Sequence, residues 1–66
     1  MWIVINGKRH EVSEAVSLER VVATISTSAT GIAVAVNGEV VRRASWPTVT
    51  LAAGDEVEVL TAVQGG

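Results

Sequence analysis

The hydrophobic positions of this chain change period along its length, and each change marks an element. "WIVINGKRHEV" is two strand-like runs around Asn6-Gly7, and by the two-residue period of a strand Ile3 and Ile5 share one side, Trp2 and Val4 the other. Asn6-Gly7 interrupts the run. Both residues tolerate positive φ, so a two-residue type I′ turn here predicts a hairpin, with His10 and Val12 on one face. The period then lengthens: Leu18, Val21, Val22 and Ile25 sit at i, i+3, i+4 and i+7, the stripe of an amphipathic helix. Ser17 stands where a side chain can cap the first free N–H groups, and Glu19 lies near the positive end of the helix dipole. The Ser/Thr-rich stretch after Ile25 and then Gly31 end the helix. Its β-branched residues make it weak in isolation, and a strand is the competing reading. In "GIAVAVNGEVVRR" Ile32, Val34 and Val36 alternate with Ala33 and Ala35, and Asn37-Gly38 predicts a second hairpin. "ASWPTVTLAAGDE" has no period: Pro47 excludes an interior strand, and Ala53-Gly54-Asp55 reads as a turn. In "EVEVLTAV" Val57, Val59, Thr61 and Val63 point one way and Glu58, Leu60 and Ala62 the other.

Hairpin, helix, hairpin, irregular link, strand is an α+β order. It calls for one mixed sheet of four to five strands with the helix packed across one face. If the first and last strands are parallel neighbours in the middle, both hairpins flank them, and the arrangement is the ubiquitin-like β-grasp. Residues 1–63 then form the domain and 64–66 a tail that reaches roughly 10 Å when extended. With Ile3, Ile5, Val57 and Val59 toward the helix, Trp2, Val4, Leu60 and Ala62 are expected to lie exposed together beside that tail, and such a cluster marks a partner-binding surface.

Composition narrows the function. At 66 residues the chain is one small domain, and its 48% hydrophobic content, with 13 valines, suits a pleated sheet. It has no Cys and one His, which excludes disulfides and a cysteine-ligated zinc site and leaves no metal centre to expect. A net charge of −2 with five dispersed basic residues argues against nucleic-acid binding. No apolar run approaches a membrane span, so a soluble, cytoplasmic protein, monomeric on its own, is expected. His10, Glu56 and Glu58 read as strand-surface residues rather than acid–base catalysts, and Asp55 as a turn residue first. Trp46, beside Pro47, reads as the cover of one end of the core.

Four stretches together, "IVIN" followed by a turn, "AVAVNGEVV", "SWP" with "LAAGDEVEVL", and the terminal "GG", resemble the ThiS family, the ubiquitin-like sulfur carriers of thiamine thiazole synthesis. The likeness spans nearly the whole chain. One departure is Arg42-Arg43, where members often carry Pro-Arg. The resemblance implies a protein co-substrate rather than an enzyme, with no metal or bound cofactor. An E1-like adenylating enzyme would use ATP to activate the carboxylate of Gly66. A persulfide enzyme would supply sulfur to form a thiocarboxylate, and thiazole synthase would receive it. Gln64, Gly65 and Gly66 would form the arm that enters these partners, since glycine adopts backbone conformations closed to residues with a Cβ. The small subunit of molybdopterin synthase shares the fold and the Gly-Gly end and is the alternative; a non-catalytic β-grasp interaction module is the further one.

Overall fold

The computed structural model describes residues 1–25 and 31–61. In chain order they form β1 (Trp2–Ile5), β2 (Lys8–Glu11), α1 (Leu18–Ile25), β3 (Ile32–Val36), β4 (Glu39–Val41), a 3₁₀ helix (Arg43–Thr48) and β5 (Glu56–Thr61). The sheet order is β2-β1-β5-β3-β4. β1 and β5 run parallel at its centre, and the remaining neighbours are antiparallel. This is the β-grasp expected from the pattern. No helix among the described residues is long and apolar enough to cross a membrane.

Both Asn-Gly pairs form the turns their chemistry favours. Asn6 and Gly7 have φ of 49° and 82°, Asn37 and Gly38 φ of 51° and 86°, the left-handed pairs that match the twist of the flanking strands. Ser17 caps α1: its Oγ accepts the N–H of Arg20 at 3.1 Å. Leu18, Val21 and Val22 are buried against Ile3, Ile5, Val34 and Val57 from the sheet, with Trp46 and Leu51 completing the core. Ile25, the fourth residue of the predicted stripe, is 39% exposed, because it closes α1 where packing on the core gives out.

The link after β4 is more ordered than its aperiodic sequence implies. The 3₁₀ helix buries Trp46, whose Nε1 donates to the carbonyl of Val41 at 2.9 Å, so the indole covers the core as predicted. Beyond it, Leu18 N–H donates to the Val49 carbonyl at 2.8 Å and Leu51 N–H to the Val16 carbonyl at 2.9 Å. These bonds flank an antiparallel bridge between Ser17 and Thr50. One of them satisfies a helix-start donor that no intrahelical partner could reach. Partners this distant leave no trace in local periodicity.

Arg42 has φ −65° and ψ 144°, inside the range a pyrrolidine ring imposes. The preceding Val41 is in a strand, as a residue before proline prefers. Arg42→Pro is therefore expected to stabilise the fold by about 0.4–1 kcal/mol, through loss of freedom in the unfolded chain. Urea unfolding checks this, and a lower midpoint would show that the Arg42 N–H or side chain contributes more than the ring restricts.

Candidate functional site

Among the described residues, no element covers the face of the sheet opposite α1. Strand registers place Arg9, Trp2, Val4, Glu56, Glu58, Leu60, Ala33, Ala35 and Val40 on it. Trp2 is 49% exposed, Leu60 67% and Val40 77%. The expected single cluster of Trp2, Val4 and Leu60 does not form. In the parallel register Val4 lies opposite Glu56, so Trp2 is level with Gly54, whose N–H donates to the Trp2 carbonyl at 2.8 Å. Leu60 lies further along β5 by roughly 20 Å at strand rise. Trp2 and Leu60 share a face but belong to opposite ends of it.

Each end has its own surroundings. At the first, the Arg9 guanidinium sits 4.8 Å from the centre of the Trp2 ring, a cation–π contact worth about 0.5–1 kcal/mol at an exposed site. At the second, Leu60 stands directly across from exposed Ala33, and Val40 is across from Ala35 one strand further out. Leu60, Ala33 and Val40 make the apolar end, with Glu58 beside them on β5. Ala33 and Val40 were not anticipated as site residues. The signal was available in the second hairpin, where alternation puts both on the side away from Val34. Ala62, Gln64, Gly65 and Gly66 lie outside the described residues, as does Val63.

β5, which leads toward the Gly-Gly end, is held more firmly than its ladder alone would hold it. Asn37 Oδ1 accepts the N–H of Glu56 at 2.9 Å, and its Nδ2 donates to Asp55 Oδ1 at 3.1 Å. Asp55 Oδ2 in turn accepts the N–H of Ala52 at 2.8 Å, which makes Asp55 the turn residue expected and ties that turn to the second hairpin. Near the other end, Asn6 Oδ1 accepts the Val59 N–H at 2.8 Å, and Asn6 Nδ2 donates to the Val59 carbonyl at 3.2 Å. Both asparagines read in sequence as turn formers only; each also grips the central strand.

The sequence profile of the ThiS family matches residues 3–66. The chain belongs to the ThiS family. No curated protein sequence matches it significantly. Two solved structures from Geobacter metallireducens are similar to this ThiS-family chain. One is the crystal structure of a thiamine biosynthesis protein (ThiS), 30% identical, with a TM-score of 0.86 and all of both chains covered. The other is the solution structure of a thiamine biosynthesis protein, 29% identical, with a TM-score of 0.78, all of this chain covered and 88% of that one. His10 is half-buried on the helix side of the sheet, opposite Ile3, and lines a cleft between β2 and α1 with Arg20 and Thr24. Glu56 and Glu58 are exposed on the other side, so the His and these carboxylates are separated by the sheet. Among the described residues no group of three His, Asp or Glu could hold a metal ion.

Proposed function

We propose that this ThiS-family chain is a sulfur carrier of thiamine biosynthesis, a protein co-substrate that acts through the carboxylate of Gly66. The observation that carries the reading is the family match running through residue 66 on a β-grasp whose central strand leads to that end. A carboxylate resists substitution because its oxygens leave badly. In the proposed sequence a carboxylate oxygen attacks the α-phosphorus of ATP and pyrophosphate leaves, giving an acyl adenylate. The outer sulfur of an enzyme persulfide then displaces AMP to give an acyl disulfide. A second thiol attacks the enzyme-side sulfur, forming a disulfide and releasing the thiocarboxylate, so that one difficult substitution is split into easier ones. The thiocarboxylate is handed to thiazole synthase. The ATP site belongs to the adenylating partner, and the proposed setting of the chemistry is the cytoplasm. Gln64, Gly65 and Gly66 are the segment that enters the partners.

Docking uses the outer face near the end of β5, where Leu60, Ala33 and Val40 expose apolar surface beside Glu58; Trp2 and Val4 form the far end of the same face. Burial of Leu60 in a partner supplies affinity that the glycines, which lack side chains, cannot. Leu60→Asp is expected to weaken binding to the adenylating enzyme by 2 kcal/mol or more, about 30-fold, with the melting temperature unchanged because Leu60 lies outside the core. Calorimetric titration measures this, and unchanged affinity would remove Leu60 from the interface. The function itself is tested by intact-mass analysis after incubation with ATP, the adenylating enzyme and a sulfur donor. An oxygen-to-sulfur gain localised to Gly66 supports the reading; no gain with a competent enzyme refutes it.

A further inference from the structure

β1 ends at Ile5, opposite Val57, while β5 continues to Thr61. On one side the extension is held throughout, since β3 pairs with β5 as far as Ile32 opposite Thr61. On the other side the chain of β1 turns away into its hairpin. The last main-chain bond from it is Asn6 N–H to the Val57 carbonyl at 2.9 Å. In a strand every second residue presents its N–H and C=O to the same neighbour, so Val59 is the next to face the departing chain. Both its groups are met by the Asn6 carboxamide, as acceptor at 2.8 Å and donor at 3.2 Å. A carboxamide carries the same donor and acceptor as a peptide unit. Asn6 thus adds one more rung to the parallel ladder from a residue already in the turn.

Few side chains can do this. The position has φ 49°, which favours Gly, Asn and Asp. Gly makes the turn without the rung, and Asp accepts from Val59 N–H but repels its carbonyl. Val59 stands two positions before the end of β5, and the sequence beyond Thr61 leads to Gly66. A strand held on both edges leaves the sheet in a fixed direction; held on one edge, it pivots about the remaining ladder.

We propose that Asn6 is a positioning residue for the C-terminal tail: it fixes the direction in which β5 delivers Gly66 to the adenylating site. The inference rests on the sulfur-carrier reading. Its matched control is Asn37, which has the same turn type but grips the opposite end of β5 at Asp55 and Glu56.

The test compares wild type, Asn6→Gly and Asn37→Gly, both substitutions keeping a turn that glycine can form. Two readouts are needed: amide hydrogen exchange at Val59 by NMR, and pyrophosphate release by the adenylating enzyme with the carrier varied. Asn6→Gly is expected to exchange on the order of 10-fold faster at the Val59 amide, whose N–H loses its acceptor. It is also expected to lose about 10-fold in kcat with KM within about twofold, since misplaced reacting atoms cost rate while the docking face is intact. Asn37→Gly keeps the wild-type kcat. Asn6→Asp, which retains the acceptor, falls between wild type and Asn6→Gly and serves if the glycine variant folds poorly. Equal kcat for Asn6→Gly and wild type, or equal losses in both glycine variants, overturns the proposal. A wild-type chain that releases no pyrophosphate overturns the sulfur-carrier reading instead, and the exchange data then still decide whether Asn6 holds the strand.

Discussion

Deletion of Gly66 is expected to abolish sulfur loading and leave the fold intact. Shortening the chain moves the terminal carboxylate back by about 3.5 Å, one extended residue. Adenylation requires the carboxylate oxygen within about 3–3.5 Å of the α-phosphorus, and a misplacement of about 1 Å can already cost 100-fold. Intact-mass analysis should therefore show no sulfur gain in the deletion variant under conditions that convert the full chain. The buried core is assembled between Ile3 and Val57, so the melting temperature should match that of the full chain. A deletion variant that still gains sulfur would move the reactive group away from the terminal glycine.

Trp46→Ala is expected to have the largest effect on stability. The indole is 4% exposed, and it is the only aromatic side chain in the core among the described residues. Replacement of a buried Trp by Ala typically costs about 3–5 kcal/mol, from lost transfer energy and the cavity left behind. A domain of this size has roughly 3–10 kcal/mol in total, so much of the population should unfold. The loss also removes the donor to the Val41 carbonyl, the contact that joins the 3₁₀ helix to β4. Trp46→Phe keeps part of the ring and loses that bond and some buried volume, and a smaller cost of about 1–2 kcal/mol is expected. Urea unfolding followed by far-ultraviolet circular dichroism measures both, independently of the emission of exposed Trp2. A cost below about 1 kcal/mol for Trp46→Ala would mean that Leu51 and Val49 close over the gap.

The elements of this protein were legible because their signals are local. Alternation of Val57 and Val59 with Glu56 and Glu58, and of Ile32, Val34 and Val36 with Ala33 and Ala35, reports which face of those strands is buried, and the stripe through Leu18, Val21 and Val22 reports the helix face. Asn6-Gly7 and Asn37-Gly38 announce their turns because positive φ excludes most other residues. The order of these elements then limits the sheet to few arrangements. Trp46 could be assigned to the core from size and apolarity alone. The Gly-Gly end, as a pattern of residues, was likewise plain.

What the tertiary structure decided depends on register and on contacts between distant residues. Alternation says that Trp2 and Leu60 share a face; only the pairing of Val4 with Glu56 shows that they stand at opposite ends of it. Asn6 and Val59 are 53 positions apart, and nothing in either neighbourhood foretells that the side chain of one continues the ladder of the other. The same holds for the bridge between Ser17 and Thr50, which orders a stretch without any period. A residue's face is set by backbone geometry within a few positions. Its height along the sheet, and the use of its hydrogen-bonding groups, are set only when strands from both ends of the chain come together.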